Sequence, residues 1–450
     1  MRKIFRILLY SLLFLLLCVV IFLLVSVQPV DRTPYSELSH YSKMMGQLDS
    51  VALLPVPAAS HEFRTGYASV NLTPSFPVAT AGYGKRRGKE FTSVYDSLYV
   101  RTVVIDNGAQ RIAVVSADLL IMPPTVTELL ESRLSEVGFS LENTYLNATH
   151  THNSIGNWGE GATGIIYGSY SDSVVTFIAE RILQCIAAAN RELVSSHIRT
   201  GSIMVPSAVR NRLDREHGSV DSLLHVIEIE RADERKLVIT SFNAHATCLY
   251  SDDFDLSRDY PGALVDSLES MGYDFAMFLA GAVGSHGLKA PEAGKVCLGW
   301  VAEEITNKFR MLQPNLEDVH DSTLMMVRVP LFLGEAQVKL TADWRIRPWL
   351  FRSAFGEYQP YLTALRIGDI ILMGTPCDFS GELTGKVYAA AEQHGMHAIV
   401  TSFNGHYIGY ITADKYYDRS HYETRLMNWY GPGNGAYLTE SLVKLQKALY

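Results

Sequence analysis

The sequence predicts an α/β fold: a single large domain with a mixed β-sheet and flanking helices, preceded by an N-terminal transmembrane helix. Three observations favour this class. Short β-branched runs alternate with amphipathic, helix-length runs along most of the 450 residues. Some neighbouring β-branched runs lie close enough for hairpins, whereas others are separated by a helix, which is typical of a mixed sheet. An uncharged apolar run opens the chain.

That apolar run, ILLYSLLFLLLCVVIFLLVSV at residues 7–27, follows Arg2, Lys3 and Arg6. It is long enough to cross a bilayer core of about 30 Å as a helix. A cleaved signal peptide normally has an apolar region of only about 7–15 residues. We therefore predict an uncleaved signal anchor over residues 1–27. Because the basic residues precede the span, the remaining chain is predicted to lie on the non-cytoplasmic side, periplasmic or extracellular, of a single-pass membrane protein.

Beyond the anchor, residues 28–64 are polar and interrupted by prolines, which predicts a tether with one short helix. Residues 65–450 are predicted to form one domain. The composition, 48% hydrophobic and 19% charged, supports a substantial core. The net charge of −8 argues against a nucleic-acid partner. The one basic cluster, at residues 84–90, is predicted to be a solvated loop, with contact to an anionic head group as the alternative.

The elements of the domain follow from composition and spacing. Strands are predicted where short β-branched runs are bounded by Gly, Pro or Asp: residues 67–72, 98–106, 111–119, 143–149, 198–205, 223–230, 236–245, 275–281, 362–374 and 397–404. Helices are predicted where apolar residues recur at helical spacing: residues 123–138, 171–193, 257–272, 299–312 and 381–395. The cysteines outside the span show no C-x-x-C spacing, so one or two disulfides are possible but a dense framework is not indicated.

Two histidines stand one residue apart in NATHTHN, immediately after the predicted strand at residues 143–149. In a strand, residues i and i+2 point to the same face, which would place His150 and His152 side by side. Such a pair can bind a metal, or one imidazole can bind it while the other transfers a proton. The alternative is a hydrogen-bonded surface pair, because H-x-H alone is a weak signal.

Polar residues also follow three other predicted strands, and chemistry in such sheets usually collects at strand ends. These residues are His245 in SFNAHATC, Asp378 in GTPCDFSGE, and His406, Tyr407 and Tyr410 in SFNGHYIGY. Any one of them alone is more often a core or loop residue. Their shared position at strand ends predicts a common site.

Several stretches, in order from residue 66 to the C-terminus, carry a likeness to a known family: VNLTPSFPVATAGYG, VYDSLYVRTVVIDNG, NATHTHNSIG, VRNRLD, FNAHATCL, SRDYPGA, TPCDFSGELTG, FNGHYIGYITADKYYDRSHYE and YGPG. The sequence resembles the N-terminal catalytic domain of the neutral/alkaline, non-lysosomal ceramidases. These are zinc-dependent amidases of the N-acyl sphingosine bond. The likeness is specific because of the order of the motifs.

The resemblance implies a Zn²⁺ ion bound by His150, His245, Asp378 and Tyr410. Two neutral imidazoles and a carboxylate are a common ligand set for catalytic zinc, which lowers the pKa of bound water to about 7. Tyr410 could also leave the metal and donate to the oxyanion of the tetrahedral carbon.

The same resemblance implies two further catalytic residues. His152, next to a ligand, is assigned proton transfer or oxyanion stabilisation. Arg212 matches the active-site arginine of the family, and its alternative role is a surface ion pair.

Two positions depart from the family pattern. The family has Glu where this chain has Asp378, which is one methylene shorter. The Gly-Asp-x-Ser-Pro segment of the family appears as GAVGSHGLKAP. Counted from Gly284, the serine that has a nucleophilic role falls on Gly287, and Ser285 stands where the aspartate would be. Ser285 is therefore a weak catalytic candidate, and hydrolysis by zinc-activated water without a covalent intermediate is predicted.

The predicted function is a membrane-anchored, zinc-dependent amidohydrolase that cleaves the amide bond of an N-acyl sphingoid, ceramide-like lipid. One alternative is a lipid-binding ectodomain that has lost catalysis, which the missing serine favours. Another is a zinc hydrolase of a different acyl amide or ester. A barrel-type amidohydrolase is disfavoured, because its His-x-His pair normally follows the first strand, whereas at least three strands come earlier here.

Overall fold

Runs of Val, Ile and Leu form the strands and longer amphipathic runs form the helices, so the predicted α/β class is confirmed. The structure is a computed structural model that describes residues 2–57 and 61–450. Mixed sheets with flanking helices make up the domain, and one apolar helix precedes it.

The helices of the described residues begin and end close to the predicted positions where a prediction was made. In chain order they are α1 (Arg2–Ser26), α2 (Ser39–Val51), α3 (Pro124–Arg133), α4 (Gly164–Tyr167), α5 (Asp172–Ala189), α6 (Asp259–Ser270), α7 (Lys295–Leu312), α8 (Pro348–Phe355), α9 (Thr384–Glu392), α10 (Tyr422–Arg425) and α11 (Asn434–Gln446). Proline occupies the first turn of α3 and α8, where an N–H would have no partner within the helix.

The strands are short, and most are buried on both faces. In chain order they are β1 (Val27–Pro29), β2 (Arg64–Asn71), β3 (Thr80–Ala81), β4 (Ser93–Val94), β5 (Tyr99–Asp106), β6 (Arg111–Ala117), β7 (Thr144–Ala148), β8 (Ser154–Ile155), β9 (Val194–Met204), β10 (Val209–Asn211), β11 (Leu223–Arg231), β12 (Lys236–Phe242), β13 (Asp255–Leu256), β14 (Phe275–Ala280), β15 (His286–Leu288), β16 (Glu317–Asp318), β17 (Leu324–Pro330), β18 (Trp344–Ile346), β19 (Tyr361–Ile367), β20 (Ile370–Gly374), β21 (Asp378–Phe379), β22 (His397–Thr401) and β23 (Tyr410–Ile411).

Two sheets carry the domain. The larger has nine strands in the order β14-β12-β11-β9-β2-β5-β6-β7, with β16 paired to β9. It is mixed, because β12 with β14 and β6 with β7 are parallel while the other pairs are antiparallel. The smaller has the order β17-β19-β20-β22, with β20 and β22 parallel.

The two sheets face each other, and helices cover their outer sides. Alternate residues of β5 show why: Val100 and Val104 pack with the layer of α3, α5, α6 and α7, whereas Val103 and Ile105 pack against the smaller sheet. The outer side of the smaller sheet is covered by α9, α11 and α2. Four layers, helix–sheet–sheet–helix, therefore bury the β-branched runs on both faces.

α8 was not predicted from the sequence, and neither were two elements whose local signal is weak, β17 and α11. β17 is an edge strand that ends at Pro330, and a proline weakens a strand pattern. α11 follows the Gly- and Pro-containing run YGPGNG, which is typical of a loop. Both elements are fixed by packing, with Val329 and Leu442 fully buried.

The N-terminal region differs from a free tether. α1 is 25 residues long with no residue of its most apolar window buried, so by length and composition alone it is long and apolar enough to cross a membrane. α2 lies within the predicted tether, where one short helix was expected. Its residues Met44 and Leu48 are buried in the core beside α11, and Asp49 pairs with Lys444 at 2.8 Å. This part of the segment is therefore attached to the domain.

One disulfide, Cys248–Cys297, joins the loop after β12 to α7. Cys185 and Cys377 are buried free thiols, and Cys18 is exposed on α1. A single bridge agrees with the sparse framework expected from the cysteine spacing.

Candidate metal centre

Six of the predicted site residues meet in one cavity of about 1010 Å³: His150, His152, Arg212, His245, Asp378 and Tyr410. They come from segments that are up to 260 residues apart in the chain (410 − 150) and that follow different strands. Ser285, the remaining candidate, is outside the lining of this cavity.

A left-handed turn brings the two histidines of the THTH segment together. β7 ends at Ala148, so His150 and His152 lie beyond the strand, and the strand-face reason given for their proximity is wrong. His150 has φ +65, a conformation that L-residues rarely adopt. The turn nevertheless brings the two Nε2 atoms within 3.2 Å of each other.

Backbone carbonyls fix the orientation of two imidazoles. Nδ1 of His150 lies 2.6 Å from the Leu120 carbonyl oxygen. Nδ1 of His245 lies 2.9 Å from the carbonyl oxygen of Val283 and 3.2 Å from that of His286. Because a carbonyl oxygen can only accept, Nδ1 must carry the proton in both rings. The Nε2 lone pairs of both histidines therefore point into the site, as in metal-binding histidines.

Asp378 and Tyr410 are placed side by side by two short parallel strands, β21 and β23, in which these two residues are directly paired. Tyr410 Oη lies 2.9 Å from His245 Nε2. Asp378 Oδ1 lies 3.2 Å from His245 Nε2 and 3.5 Å from His150 Nε2. The other carboxylate oxygen, Oδ2, accepts a hydrogen bond of 2.6 Å from the Tyr407 hydroxyl.

These atoms fit a tetrahedral metal site. Bonds of about 2.0–2.2 Å in a tetrahedron place neighbouring ligand atoms about 3.3–3.6 Å apart. Asp378 Oδ1 lies at close to this separation from the Nε2 atoms of both His150 and His245. Asp378 Oδ1 is buried, and no donor of the described residues reaches it in hydrogen-bonding geometry. An acceptor without a donor, facing two imidazole lone pairs, is the environment that a cation would satisfy.

Burial keeps the imidazoles neutral. Desolvation, together with the neighbouring His245, lowers the pKa of His150 to about 3. Desolvation is the main cause, and the positive charge of Arg212 the second, that holds the pKa of His245 well below its usual value. Desolvation raises the pKa of the Asp378 carboxyl, although His150 opposes this shift. Neutral imidazoles are the form in which histidine binds a metal.

Arg212 and Tyr410 form the donor side of the site. Arg212 donates from Nη2 to the Tyr410 hydroxyl oxygen at 2.9 Å, and its Nε lies 2.9 Å from Glu423 Oε1. Arg212 thus makes an ion pair, but a largely buried one and not the surface pair that was its alternative role, and its side chain lines the cavity. Burial holds the pKa of Tyr410 well above its usual value, so the phenol keeps its proton at neutral pH.

His152 is placed either to bind a metal or to move a proton. The ring nitrogens of His150, His152 and His245 lie within 4.8 Å of one another, and such a group could hold a metal ion. His152 Nδ1 is buried with no partner among the described residues, and its ring packs on Tyr83 with centroids 4.9 Å apart. Burial and His150 hold the pKa of His152 well below its usual value.

Sequence reasoning missed two residues that position the histidines. Arg86 was expected in a solvated loop, but only 1% of it is exposed, so that interpretation is wrong for this residue. Its guanidinium donates to the His152 carbonyl oxygen at 2.6 Å and to the Asp253 carbonyl oxygen at 2.6 Å. Phe403 stacks on the His150 ring with centroids 4.0 Å apart. The only sequence signal for Arg86 was the basic run itself, which gives no sign of burial.

Ser285 lies in a different environment from the other candidates. It is fully buried, its Oγ accepts from Ser380 Oγ at 2.7 Å, and His286 Nδ1 lies 3.1 Å away. The position counted as that of the serine of the family, Gly287, has no side chain. At Gly284 a Cβ would lie 2.3 Å from the Asp378 carbonyl oxygen, so that position also has no room for a side chain.

The rest of the cavity is mainly apolar. Its walls come from the segment before α3, from Trp158 and Tyr167, from the segment before and including α8, and from Trp429. Trp158 and Tyr167 stack with centroids 4.8 Å apart, and Phe351 of α8 packs on Trp429 at 5.4 Å. Polar side chains also line the cavity outside the histidine cluster, among them Lys85, Glu160, Arg352 and Glu357, but apolar and aromatic side chains provide most of the wall available to a ligand.

The fold and the site together define a class of protein: an α/β domain with a buried histidine–carboxylate group in a largely apolar cavity. Residues 63–274 match the family model described as neutral/alkaline non-lysosomal ceramidase, N-terminal. The resemblance stated from the sequence motifs is thereby confirmed, and this stretch contains His150, His152, Arg212 and His245.

Solved structures give the same result for the fold. Neutral ceramidase from Pseudomonas aeruginosa matches with a TM-score of 0.71 and 18% identity, over 87% of this chain and 74% of that chain. A ceramidase complexed with C2 matches with a TM-score of 0.74 and 18% identity, over 87% of this chain and 75% of that chain. No curated protein matches the sequence.

Proposed function

We propose that the protein is a zinc-dependent amidase that cleaves the amide bond of an N-acyl sphingoid, ceramide-like lipid. One observation carries the proposal. A buried carboxylate oxygen of Asp378 without a donor faces the Nε2 lone pairs of His150 and His245 at the end of an apolar cavity. The match to the ceramidase family model supports the reaction class.

Zinc would be held by His150, His245, Asp378 and Tyr410. Zinc is favoured over harder cations because imidazole nitrogen is a poor ligand for Mg²⁺ or Ca²⁺. When bound there, zinc supplies a hydroxide at neutral pH and polarises a carbonyl. Tyr407 would hold the carboxylate in place through its bond to Asp378 Oδ2, an outer contact of the kind that orients metal ligands.

The protein groups around the ligands suit acyl transfer. The Arg212 guanidinium and the Tyr410 hydroxyl are 2.9 Å apart and would donate to the oxygen of the substrate carbonyl as it gains negative charge. His152, 3.2 Å from His150, would carry the proton from the attacking water to the leaving amine. Its low pKa favours the unprotonated imidazole that can accept this proton.

The cavity suits a substrate with long apolar chains. Its volume of about 1010 Å³ exceeds that of most small-ligand pockets, and aromatic side chains line it away from the histidines. The solved structure of a ceramidase complexed with C2 concerns another protein with the same fold. A ceramide-like lipid would place its amide at the histidine end and its chains along the apolar walls.

The chain is proposed to be membrane-anchored, with the domain on the non-cytoplasmic side. Arg2, Lys3 and Arg6 precede the apolar run of α1. A cysteine introduced at the exposed position Ser36 should react with a membrane-impermeant thiol reagent in intact cells. The matched variant Lys3→Cys should react only after lysis. Labelling of Lys3→Cys but not Ser36→Cys in intact cells would reverse the proposed topology.

The proposal is tested by metal content together with turnover. Full-length protein purified in detergent should contain about one zinc per chain and hydrolyse a fluorescent N-acyl sphingosine. Asp378→Asn keeps the shape of the side chain but removes its charge, and should lose both zinc and turnover. His197→Ala, at an exposed histidine, is the matched control and should keep both.

Two outcomes favour the alternatives. A zinc-loaded protein that binds the lipid but hydrolyses no N-acyl amide or ester would be a lipid-binding domain that has lost catalysis. Faster turnover of a simple N-acyl amide or ester than of the sphingoid lipid would indicate a zinc hydrolase of a different substrate. Wild-type zinc content in Asp378→Asn would overturn the assigned ligand set.

A further inference from the structure

We infer that the surface formed by β18 and α8 docks on the same bilayer that α1 enters, so that a lipid substrate reaches the cavity directly from the membrane. The identity of the substrate and the membrane span of α1 rest on the proposed function, whereas the docking of this surface does not depend on catalytic activity. The occupant of the surface is a lipid bilayer. We call the surface the membrane-facing patch and define it by Leu340, Trp344, Arg347, Trp349 and Arg352.

The end of α1 is fixed to the domain rather than joined by a flexible linker. β1 begins directly after α1 and pairs with β18, with Val27 opposite Ile346. The Arg347 N–H donates to the Ser26 carbonyl oxygen at 2.8 Å. The Trp349 indole N–H donates to the Val25 carbonyl oxygen at 2.8 Å. If α1 spans a bilayer, these bonds hold the membrane-facing patch at the surface of that bilayer.

The same helix also forms a wall of the cavity. Pro348, Phe351 and Phe355 of α8 line the cavity, and Phe351 is buried. Trp349, on the opposite side of the helix, is 44% exposed. α8 therefore separates the cavity from the surface beside α1 by the thickness of one helix. A substrate that leaves the bilayer next to α1 has only this helix to pass.

The exposed residues of the patch are those that prefer a membrane interface. Trp344 is 49% exposed and Leu340 is 42% exposed, which is unusual for apolar side chains so close to each other. Tryptophan is enriched where the headgroups meet the hydrocarbon. Arg352 is exposed on α8, where it lines the cavity and can extend its charged end toward lipid phosphates. Arg347 is half-buried, and its Nε atom is buried.

Exposed apolar residues continue from the patch to the opening of the cavity. Tyr422 is 55% exposed and Leu426 is 51% exposed, and both line the cavity. Arg425, between them, donates to the Leu340 carbonyl oxygen of the patch. The opening is therefore continuous with the patch and the end of α1. Direct transfer along this path spares the acyl chains exposure to water, which is unfavourable in proportion to the apolar area exposed.

The tryptophan content of the chain gives a direct test of docking. The chain has five tryptophans, and α1 contains none of them, so tryptophan quenching by lipid reports only on the domain. Full-length protein should be reconstituted in nanodiscs whose phosphatidylcholine carries bromine on its acyl chains. Bromolipid should quench part of the fluorescence of the wild-type protein.

The double variant Trp344→Phe/Trp349→Phe should lose that quenched component, because phenylalanine keeps the ring but not the indole emission. The matched variant Trp300→Phe, on α7, should keep it. An unchanged quenched component in the double variant, or no quenching in the wild type, would overturn the docking surface. Neither result depends on catalytic activity.

A second measurement tests the route of the substrate. Trp344→Ser should lower turnover of a long-chain N-acyl sphingosine in vesicles about tenfold, because it removes an apolar contact with the membrane interface. Turnover of a short-chain, water-soluble N-acyl substrate should stay unchanged. Met311→Ser, at a methionine that is 60% exposed on α7, is the control and should change neither rate.

The two proposals fail in different ways. If the wild-type protein hydrolyses neither substrate, the proposed function is wrong, and the quenching result still decides the docking surface. If Trp344→Ser loses both rates equally, the residue affects the fold of the site instead of the access of the lipid. That result would overturn the proposed route.

Discussion

Two buried histidine clusters in this protein contain the same kinds of residue and differ in what their nitrogens contact. At the metal centre, His150 and His245 give their Nδ1 protons to backbone carbonyls, so their Nε2 lone pairs meet at a carboxylate. In the second cluster, which we call the His225 cluster, His225 Nδ1 lies 3.1 Å from His397 Nε2. Its Nε2 lies 3.3 Å from the Tyr388 hydroxyl.

In the His225 cluster the polar atoms hydrogen-bond to one another. One nitrogen of the His225–His397 pair can donate to the other, and Tyr388 donates in turn to Asp221 Oδ2 at 3.0 Å. Burial holds the pKa of His225, like that of His245, well below its usual value. Proximity, burial and a shifted pKa are thus common to both clusters. What distinguishes the candidate metal site is a buried carboxylate oxygen without a donor that faces the Nε2 atoms of two histidines.

The largest expected difference between the clusters is in metal content. His245→Ala should remove zinc and lower turnover more than about 100-fold. The loss should exceed the range of about 10–100-fold that is typical for residues that only contact a metal ligand, because His245 is itself a proposed ligand. His225→Ala should keep zinc at the wild-type level and lose only stability, about 1–3 kcal/mol for the unsatisfied partners. Zinc is measured by mass spectrometry and stability by thermal unfolding. Equal loss of zinc in both variants would remove the distinction.

A variant at His152 distinguishes a role in binding the metal from a role in proton transfer. His152→Gln should keep zinc and lower turnover by on the order of 10²–10⁴-fold, because glutamine can accept a hydrogen bond but cannot carry the proton. Loss of zinc from this variant would instead make His152 the third imidazole ligand, as the 4.8 Å group of three histidines allows. Metal content and turnover should be measured on the same preparation.

Tyr407 tests whether an outer contact matters at the metal centre. Tyr407→Phe removes the hydroxyl that donates to Asp378 Oδ2 and keeps the ring. Zinc affinity should fall about 10–100-fold, as for other outer contacts to metal ligands. Competition with a chelator measures the affinity. Tyr388→Phe is the matched change in the His225 cluster, and an equal fall in that variant would contradict the prediction.

The pH dependence of stability should come partly from the His225 cluster. Burial lowers the pKa of His397 to about 4, below the value of about 6.5 in an unfolded chain. The unfolded state therefore binds more protons between about pH 6.5 and 4, and stability falls as the pH is lowered through this range. The loss at pH 4 should be about 2 kcal/mol, since His397 is partly exposed.

His397→Gln cannot be protonated, so its stability should fall less between pH 7 and pH 4 than that of the wild type. The difference between the thermal unfolding midpoints at pH 7 and at pH 4 measures this fall for each protein. His197→Gln, at an exposed histidine, is the control and should follow the wild type. The same pH dependence in all three proteins would show that His397 does not titrate in this range.

The smallest effect is expected at Ser285, whose hydroxyl is satisfied in the same way as the His225 cluster. Ser285→Ala loses the bond from Ser380 and should cost about 1 kcal/mol of stability, with turnover lowered less than about tenfold. Trapping an acyl group on Ser285 would falsify hydrolysis without a covalent intermediate. Ser380→Ala is the control for loss of the hydrogen bond alone.

Much of the fold could be predicted from local pattern. Short β-branched runs located β5, β6, β11 and β12, because strands that are buried on both faces need apolar side chains along most of their length. β17 and α11 were missed because Pro330 and the run before Asn434 weaken the local signal, and packing decides those elements instead. Local pattern also could not show that α2 packs beside α11, since that contact joins distant parts of the chain.

For the candidate site, the sequence likewise predicted some features and not others. The types of residue at strand ends, and the order of the family motifs, were sufficient to select His150, His152, Arg212, His245 and the Asp378–Tyr410 pair. The sequence could not show how they meet. His150 and His152 converge because His150 has φ +65. The sequence had instead predicted that they would share one face of a strand.

The sequence by itself determined the α/β class, the likeness to the ceramidases, the apolar N-terminal helix and the residue types of the centre, because these depend on composition, spacing and order along the chain. Only the tertiary structure decided which nitrogens face the carboxylate, that Arg86 is buried beneath His152, and that the end of α1 lies against α8. These features depend on contacts between residues that are far apart in sequence. Such contacts form only when the whole domain buries its apolar surface and each buried polar atom finds, or lacks, a partner.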